Sequence, residues 1–176
     1  MIPLRHLTTT APRVRAHNPV VLVGAVAGFA AGQVMDQATT WFYGRQSDAS
    51  KRRESEVLPE GAPTASARKL AGLIGYEPTD EQTGQIAAYM HRFLGQLYGV
   101  VAAALTRRGV PPVQAGLASG VGGFLLVDEL ANSLFFTPPP QAYPVESHLR
   151  GAVGHLTFGA TTGVLLALAK RLRLLG

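Results

Sequence analysis

Four stretches of this chain, residues 20 to 43, 86 to 105, 113 to 136 and 152 to 169, are depleted of charge, and each is close to the roughly 20 residues that cross a bilayer. Charged residues make up only 15% of the whole, against about 25% in an ordinary soluble domain. Glycine recurs inside the apolar runs, which suits lipid, where small residues let helices approach closely. The expectation is an all-α integral membrane four-helix bundle, set against a soluble bundle with unusually apolar helices. The chain then divides into a basic N-terminus (1–19), a first span (20–43), a polar connection (44–78), a second span (79–106), a turn (107–112), a third span (113–136), a Pro-rich turn (137–147), a fourth span (148–170) and a basic end (171–176). With no cysteine in the sequence, disulfides, thiolate nucleophiles, iron–sulfur clusters and cysteine zinc sites are excluded.

The spans repeat. His91-x3-Gly95-x3-Gly99-Val100 returns 64 residues later as His155-x3-Gly159-x3-Gly163-Val164, and each copy runs into a basic stop, Arg107-Arg108 or Lys170-Arg171. A second pattern precedes each copy. Gly24, Gly28, Gly32 and Asp36 climb in steps of four, and Gly116, Gly120 and Asp128 follow the same spacing 92 residues on, with Phe124 breaking the ladder. Self-similarity of this kind fixes architecture before it assigns chemistry. The expected unit is a helical hairpin with an acid on its first arm and a histidine on its second. Short connections make successive helices antiparallel, so the two hairpins run parallel about an axis along the membrane normal.

Basic residues sit at the span ends, not along one face with interleaved aromatics, so a nucleic-acid partner is not indicated. Arg5, Arg13 and Arg15, then Arg107 and Arg108, then Lys170, Arg171 and Arg173 occupy three segments without an acid. The positive-inside rule puts those segments, and both termini, in the cytoplasm. The 44–78 connection dissents, carrying six basic residues from Arg45 to Lys69 among five acids, and acids count for little in that rule. Residues 20 to 32 resemble a signal-peptide core, but the apolar pattern continues to Trp41, Phe42 and Tyr43, an aromatic belt, so a retained span is expected. Within the connection Ala67, Leu70, Leu73 and Ile74 recur at helical spacing beside Arg68 and Lys69, suggesting a short interfacial helix. Thr79-Asp80-Glu81-Gln82 reads as a capping box, and Pro111-Pro112 as a helix start.

Asp36 and Asp128 lie about 24 Å into their helices at 1.5 Å per residue, and His91 and His155 each precede their basic stop by 16 positions. All four share one depth, and the natural pairs are Asp36 with His91 and Asp128 with His155. Ionisable groups inside a bilayer usually face the bundle interior or a water cavity. Glu129 and Arg92 stand one position on, about 100° round the helix, and Arg92 either meets an acid or snorkels outward. Three functional readings follow. The pairs, with Glu129 and Arg92 as further members of the relay, pass protons or hold a cation, since histidine changes charge near neutral pH. Alternatively His91 and His155 ligate haem b, with the nearby glycines leaving room for the macrocycle. The third is a divalent metal held by Asp36, Asp128, His91 and His155, with Glu129 beside them. Against these stands a purely structural reading, in which Asp–His bonds lock the bundle and the glycine ladders only serve packing.

No soluble-enzyme constellation is present. Gly120-Val-Gly122-Gly123 follows no strand, and Ser119 and Ser133 lack a base and are placed to bond across helices. From His91 onward the chain resembles the YagU-like family of bacterial inner-membrane proteins. The landmarks are His91 with Phe93, the basic turn with Pro111, Gly116-Leu117, Thr137-Pro138-Pro139, Glu146, Gly154-His155 and the basic end. The resemblance implies a bacterial inner (cytoplasmic) membrane location and a loose link to acid tolerance. The Arg45-to-Lys69 loop and the ladder ending at Asp36 lie outside it. The favoured expectation is therefore a small multi-pass protein handling protons or a cation, with no enzyme activity and no resident cofactor. The rival is a non-catalytic subunit of a larger membrane complex, or a homo-oligomer, docking through Gly95, Gly99, Gly159 and Gly163; an enzyme acting on a lipid or quinone comes third.

Overall fold

The computed structural model describes residues 19 to 175. Of the N-terminal segment expected at 1 to 19, all but Pro19, including Arg5, Arg13 and Arg15, lies outside the described residues. Everything regular among the described residues is helical. Helix α1 spans Pro19–Arg45, α2 Asp48–Val57, α3 Ala62–Leu73, α4 Asp80–Arg107, α5 Pro112–Gly123, α6 Asn132–Phe135 and α7 Val145–Arg171. Between α5 and α6, residues Phe124–Ala131 form a π-helix, and Pro140–Ala142 form a 3₁₀ turn before α7.

Local chemistry sets these boundaries. The α1 helix stops at Arg45, whose guanidinium lies 3.9 Å over the Trp41 ring and donates to the Trp41 carbonyl. A capping box opens α4: the Thr79 hydroxyl accepts from the Gln82 amide at 3.3 Å while the Gln82 side chain accepts from the Thr79 amide at 2.9 Å. Gly109, at φ +99°, turns the chain after α4 in the left-handed region that favours glycine. Pro112 then begins α5, where its missing amide hydrogen costs no helical bond. The backbone stays right-handed helical through both ends of the π segment, so residues 112 to 135 make one continuous rod with a widened middle.

Glycine sets the spacing of the rods. A β-carbon on Gly28 would sit 2.1 Å from the Gly95 carbonyl oxygen, and one on Gly99 2.1 Å from that of Gly24, so α1 and α4 meet backbone to backbone. Helices α5 and α7 meet the same way: a β-carbon on Gly116 would lie 2.3 Å from the Gly159 oxygen, and one on Gly120 2.4 Å from the His155 oxygen. Gly163 faces Val113 as closely. Helix α1 also lies along α7, and α4 along α5. A β-carbon on Gly95, by contrast, would reach only ordinary contact with the Gly28 oxygen, at 3.4 Å. Gly32 departs from its expected packing role, because a β-carbon there would meet nothing within 4 Å.

The core is made of small residues and sits at the end where α1 begins and α4 and α7 finish, around Val20, Ala27, Ala102, Ala103, Leu166 and Ala169. Large apolar side chains point outward instead, among them Leu22, Val26, Phe93, Leu126, Leu134, Phe135 and Val164, each more than half exposed. A water-soluble bundle places large side chains inside and seldom exposes a contiguous apolar surface of this kind. Two helices, α1 and α7, are long and apolar enough to cross a membrane. The expectation of four spans goes further than that test. Helix α4 opens on Asp80, Glu81 and Gln82 and carries His91 and Arg92, while the third rod is divided by its π segment.

The connection expected as a polar linker with one surface helix is two helices. The alanine face of α3, with Ala65, Ser66, Ala67 and Ala71 buried, packs on α4, leaving Leu73 and Ile74 exposed. Helix α2 is tied to α7 by a polar network described below.

Candidate functional site

The glycine contacts close the rods at the end where α1 begins and α4 and α7 finish, and at the other end the rods line an open cavity of about 630 Å³ beneath the loop helices. Gly32 lines it from α1, in the ladder position where the third rod carries Phe124 instead. Phe124 fills its own side, its ring against Gly151 and 5.8 Å from the His155 ring. The cavity is therefore roomier beside α1 than beside the third rod.

Every histidine among the described residues lines this cavity, and each is bonded to a carboxylate. His91 Nε2 lies 2.9 Å from Asp36 Oδ1, and His155 Nε2 lies 2.9 Å from Asp128 Oδ2. The two pairs named from depth and spacing are thus formed. The third was not foreseen: His148 Nδ1 lies 2.8 Å from Glu129 Oε1. Glu129 shares the cavity with Asp128 because both ride on the π-helix, whose wider turn separates successive side chains by less than the 100° of an α-helix. Arg92 does not belong to the site. It is exposed, lies outside the cavity lining and makes no ion pair with a described residue.

Hydrogen-bond accounting separates the three pairs. The second nitrogen of His148 bonds the Pro140 carbonyl at 3.0 Å, and a carbonyl only accepts. Both His148 nitrogens must donate if Glu129 is ionised; otherwise Glu129 itself is protonated and donates to Nδ1. In either arrangement the Glu129–His148 pair holds one proton more than a neutral imidazole beside a carboxylate. His155 differs. Its Nε2 donates to Asp128, while Nδ1 is buried without a hydrogen-bond partner. A neutral ring beside a carboxylate satisfies that geometry with no extra proton. Asp36 and His91 allow the same state, with Asp36 and His91 each about half exposed to the cavity side.

At the mouth, Glu54 of α2 is clasped by Arg150 of α7, with Gln46 and Ser147 also donating to its carboxylate. Burial pushes the Glu54 carboxyl up, but the bonds from Arg150, Gln46 and Ser147, with the arginine's charge, outweigh it and hold the group below the usual carboxylate range. The Glu146 carboxylate accepts from the Ser47 amide and hydroxyl at 2.7 and 2.8 Å, a second tie from α7 to the start of α2. Ser119 donates across helices to the Tyr98 carbonyl, whereas Ser133 bonds back within its own rod.

Glu54 is matched by Arg150, and the other acids of the cavity, Asp36, Asp128 and Glu129, each meet one histidine. Among the described residues no three histidine, aspartate or glutamate side chains converge into a set that could hold a metal ion. Axial haem ligation through Nε2 would require breaking the carboxylate bonds of His91 and His155. Comparison with known protein families, curated proteins and solved structures finds no match.

Proposed function

We propose that this chain is a four-span membrane protein built of two parallel hairpin repeats, and that its cavity takes up a cation in exchange for protons at Asp36–His91 and Asp128–His155. The outward-facing leucines, valines and phenylalanines on all four rods support the spans, because a hydrocarbon surround removes the cost of exposing them. The matched glycine contacts of α1 with α4 and of α5 with α7 support the repeat. The resemblance of the second half to YagU-like proteins supports a bacterial inner membrane and a role in acid tolerance, and the basic stops at Arg107-Arg108 and Lys170-Arg171 support termini in the cytoplasm.

One observation carries the activity: both Asp–His pairs open on a single cavity. With neutral imidazoles, the two aspartates attract a cation. Protonation of His91 and His155 turns each pair neutral and removes that attraction. Occupancy then rises with pH. The other half of the bundle is closed by backbone contact, so the resting state is a one-sided vestibule and passage across would need the glycine-packed half to part.

The test is proton release in weakly buffered nanodiscs on adding sodium, potassium, magnesium or tetraphenylphosphonium. At a pH low enough that His91 and His155 start protonated, at least one of these is expected to release protons from the wild type, up to about one per site, and none from Asp36→Asn/Asp128→Asn, the cation displacing a proton through linkage. Silence of the wild type towards all four contradicts the reading.

A further inference from the structure

Resting on that reading, we infer that the cation is organic and amphipathic, of drug-like size, and not an inorganic ion. The cavity volume of about 630 Å³ falls in the range of small-molecule sites, roughly 300–1,000 Å³, and exceeds what a dehydrated metal or alkali ion fills. Its donors are arranged to match. An inorganic cation needs several oxygens or nitrogens converging on one point, and no three histidine, aspartate or glutamate side chains converge in that way among the described residues. Each aspartate instead spends one oxygen on its own histidine, in a cavity whose other carboxyl groups are paired, Glu54 with Arg150 and Glu129 with His148.

The walls between the two charges are apolar and aromatic. Met35, Leu94 and Val127 supply aliphatic surface, and Tyr98 and Phe124 supply rings that attract a cation through their faces. The Tyr98 hydroxyl is buried without a hydrogen-bond partner, a second polar group on this wall besides His155 Nδ1 left unmatched by the protein itself. The room for the occupant comes from the broken symmetry of the ladders. Gly32 leaves open the volume that Phe124 fills in the other half.

Equilibrium binding of tetraphenylphosphonium to the protein in nanodiscs, corrected with protein-free discs, tests this. The wild type is expected to bind above the lipid background. Asp36→Asn/Asp128→Asn should weaken binding about tenfold or more through loss of the charged partners. Gly32→Phe, which copies Phe124 and alters no charge, should weaken it similarly by occupying the space. If sodium, potassium or magnesium releases protons while tetraphenylphosphonium stays at the lipid background, the organic-cation inference falls and the cation reading stands. If no cation acts, both fall. Binding that survives both variants unchanged also overturns the inference, since it would lie outside this cavity.

Discussion

Asp128 and Glu129 are sequence neighbours with different protonation tasks, and the difference arises from what the partner histidine does with its second nitrogen. His148 spends it on a carbonyl, so its pair must keep an extra proton, whereas His155 leaves it unused. Glu54 is a third case, a carboxylate held ionised by Arg150, Gln46 and Ser147. Its folded value lies below the unfolded one, so its contribution to stability is full above the ordinary carboxylate range and is lost as pH falls through the folded value. Both partners are about a quarter exposed, which places the pair between exposed bridges at about 0–1 kcal/mol and buried ones at about 3–5. Glu54→Gln is expected to loosen α2 by about 1–3 kcal/mol at neutral pH, and the difference from wild type should vanish in strong acid. Amide exchange across residues 48 to 57 at several pH values measures it; equal protection at neutral pH would show that the clasp does not hold α2. Depth counting along the sequence reached the Asp36–His91 and Asp128–His155 pairs because each partner sits a fixed distance from a charged stop. The Glu54–Arg150 clasp was out of reach, since its members stand 96 positions apart and each is unremarkable alone.

Each glycine ladder serves two ends differently. Gly24, Gly28 and Gly99 are in backbone contact, while Gly32 one turn further faces open space. An added methyl therefore separates packing from propensity. Gly99→Ala should destabilise by about 1–3 kcal/mol through overpacking, whereas Gly32→Ala should be neutral or stabilising by about 0.5–1 kcal/mol from helix propensity alone. Thermal unfolding in mild detergent distinguishes them, and equal effects would mean that the ladders are not the contact described here. The third rod shows where sequence reading ran out. Glu129 was a candidate from its place beside Asp128, but an α-helical wheel sets it about 100° away and gave it no partner, whereas the π-helix carries both into the cavity, where Glu129 meets His148. Its one advance sign was Phe124, which interrupts the glycine ladder where the π segment begins. In the 44–78 connection the helical spacing at Ala67 to Ile74 fell at the end of α3, but the charges at Lys51 to Glu54 hid α2, because a helix docked by one partly buried ion pair leaves little apolar periodicity.

For the whole molecule, glycine closure at one end and separation at the other make a bundle sealed beneath and hollow above. The large side chains on its outside and the alanines within fit hydrocarbon surroundings. The cavity then lies beneath α2 and α3, on the side opposite the basic Arg107-Arg108 turn. The absence of native cysteine allows this arrangement to be read directly, by reacting single-cysteine variants in sealed membrane vesicles with an impermeant maleimide. Ser55→Cys on α2 and Ala88→Cys in the cavity wall are expected to react from one face, and Arg108→Cys only from the other. Labelling of Ser55→Cys and Arg108→Cys from the same face, or of all three equally in intact vesicles, would contradict a membrane-spanning bundle with a one-sided cavity.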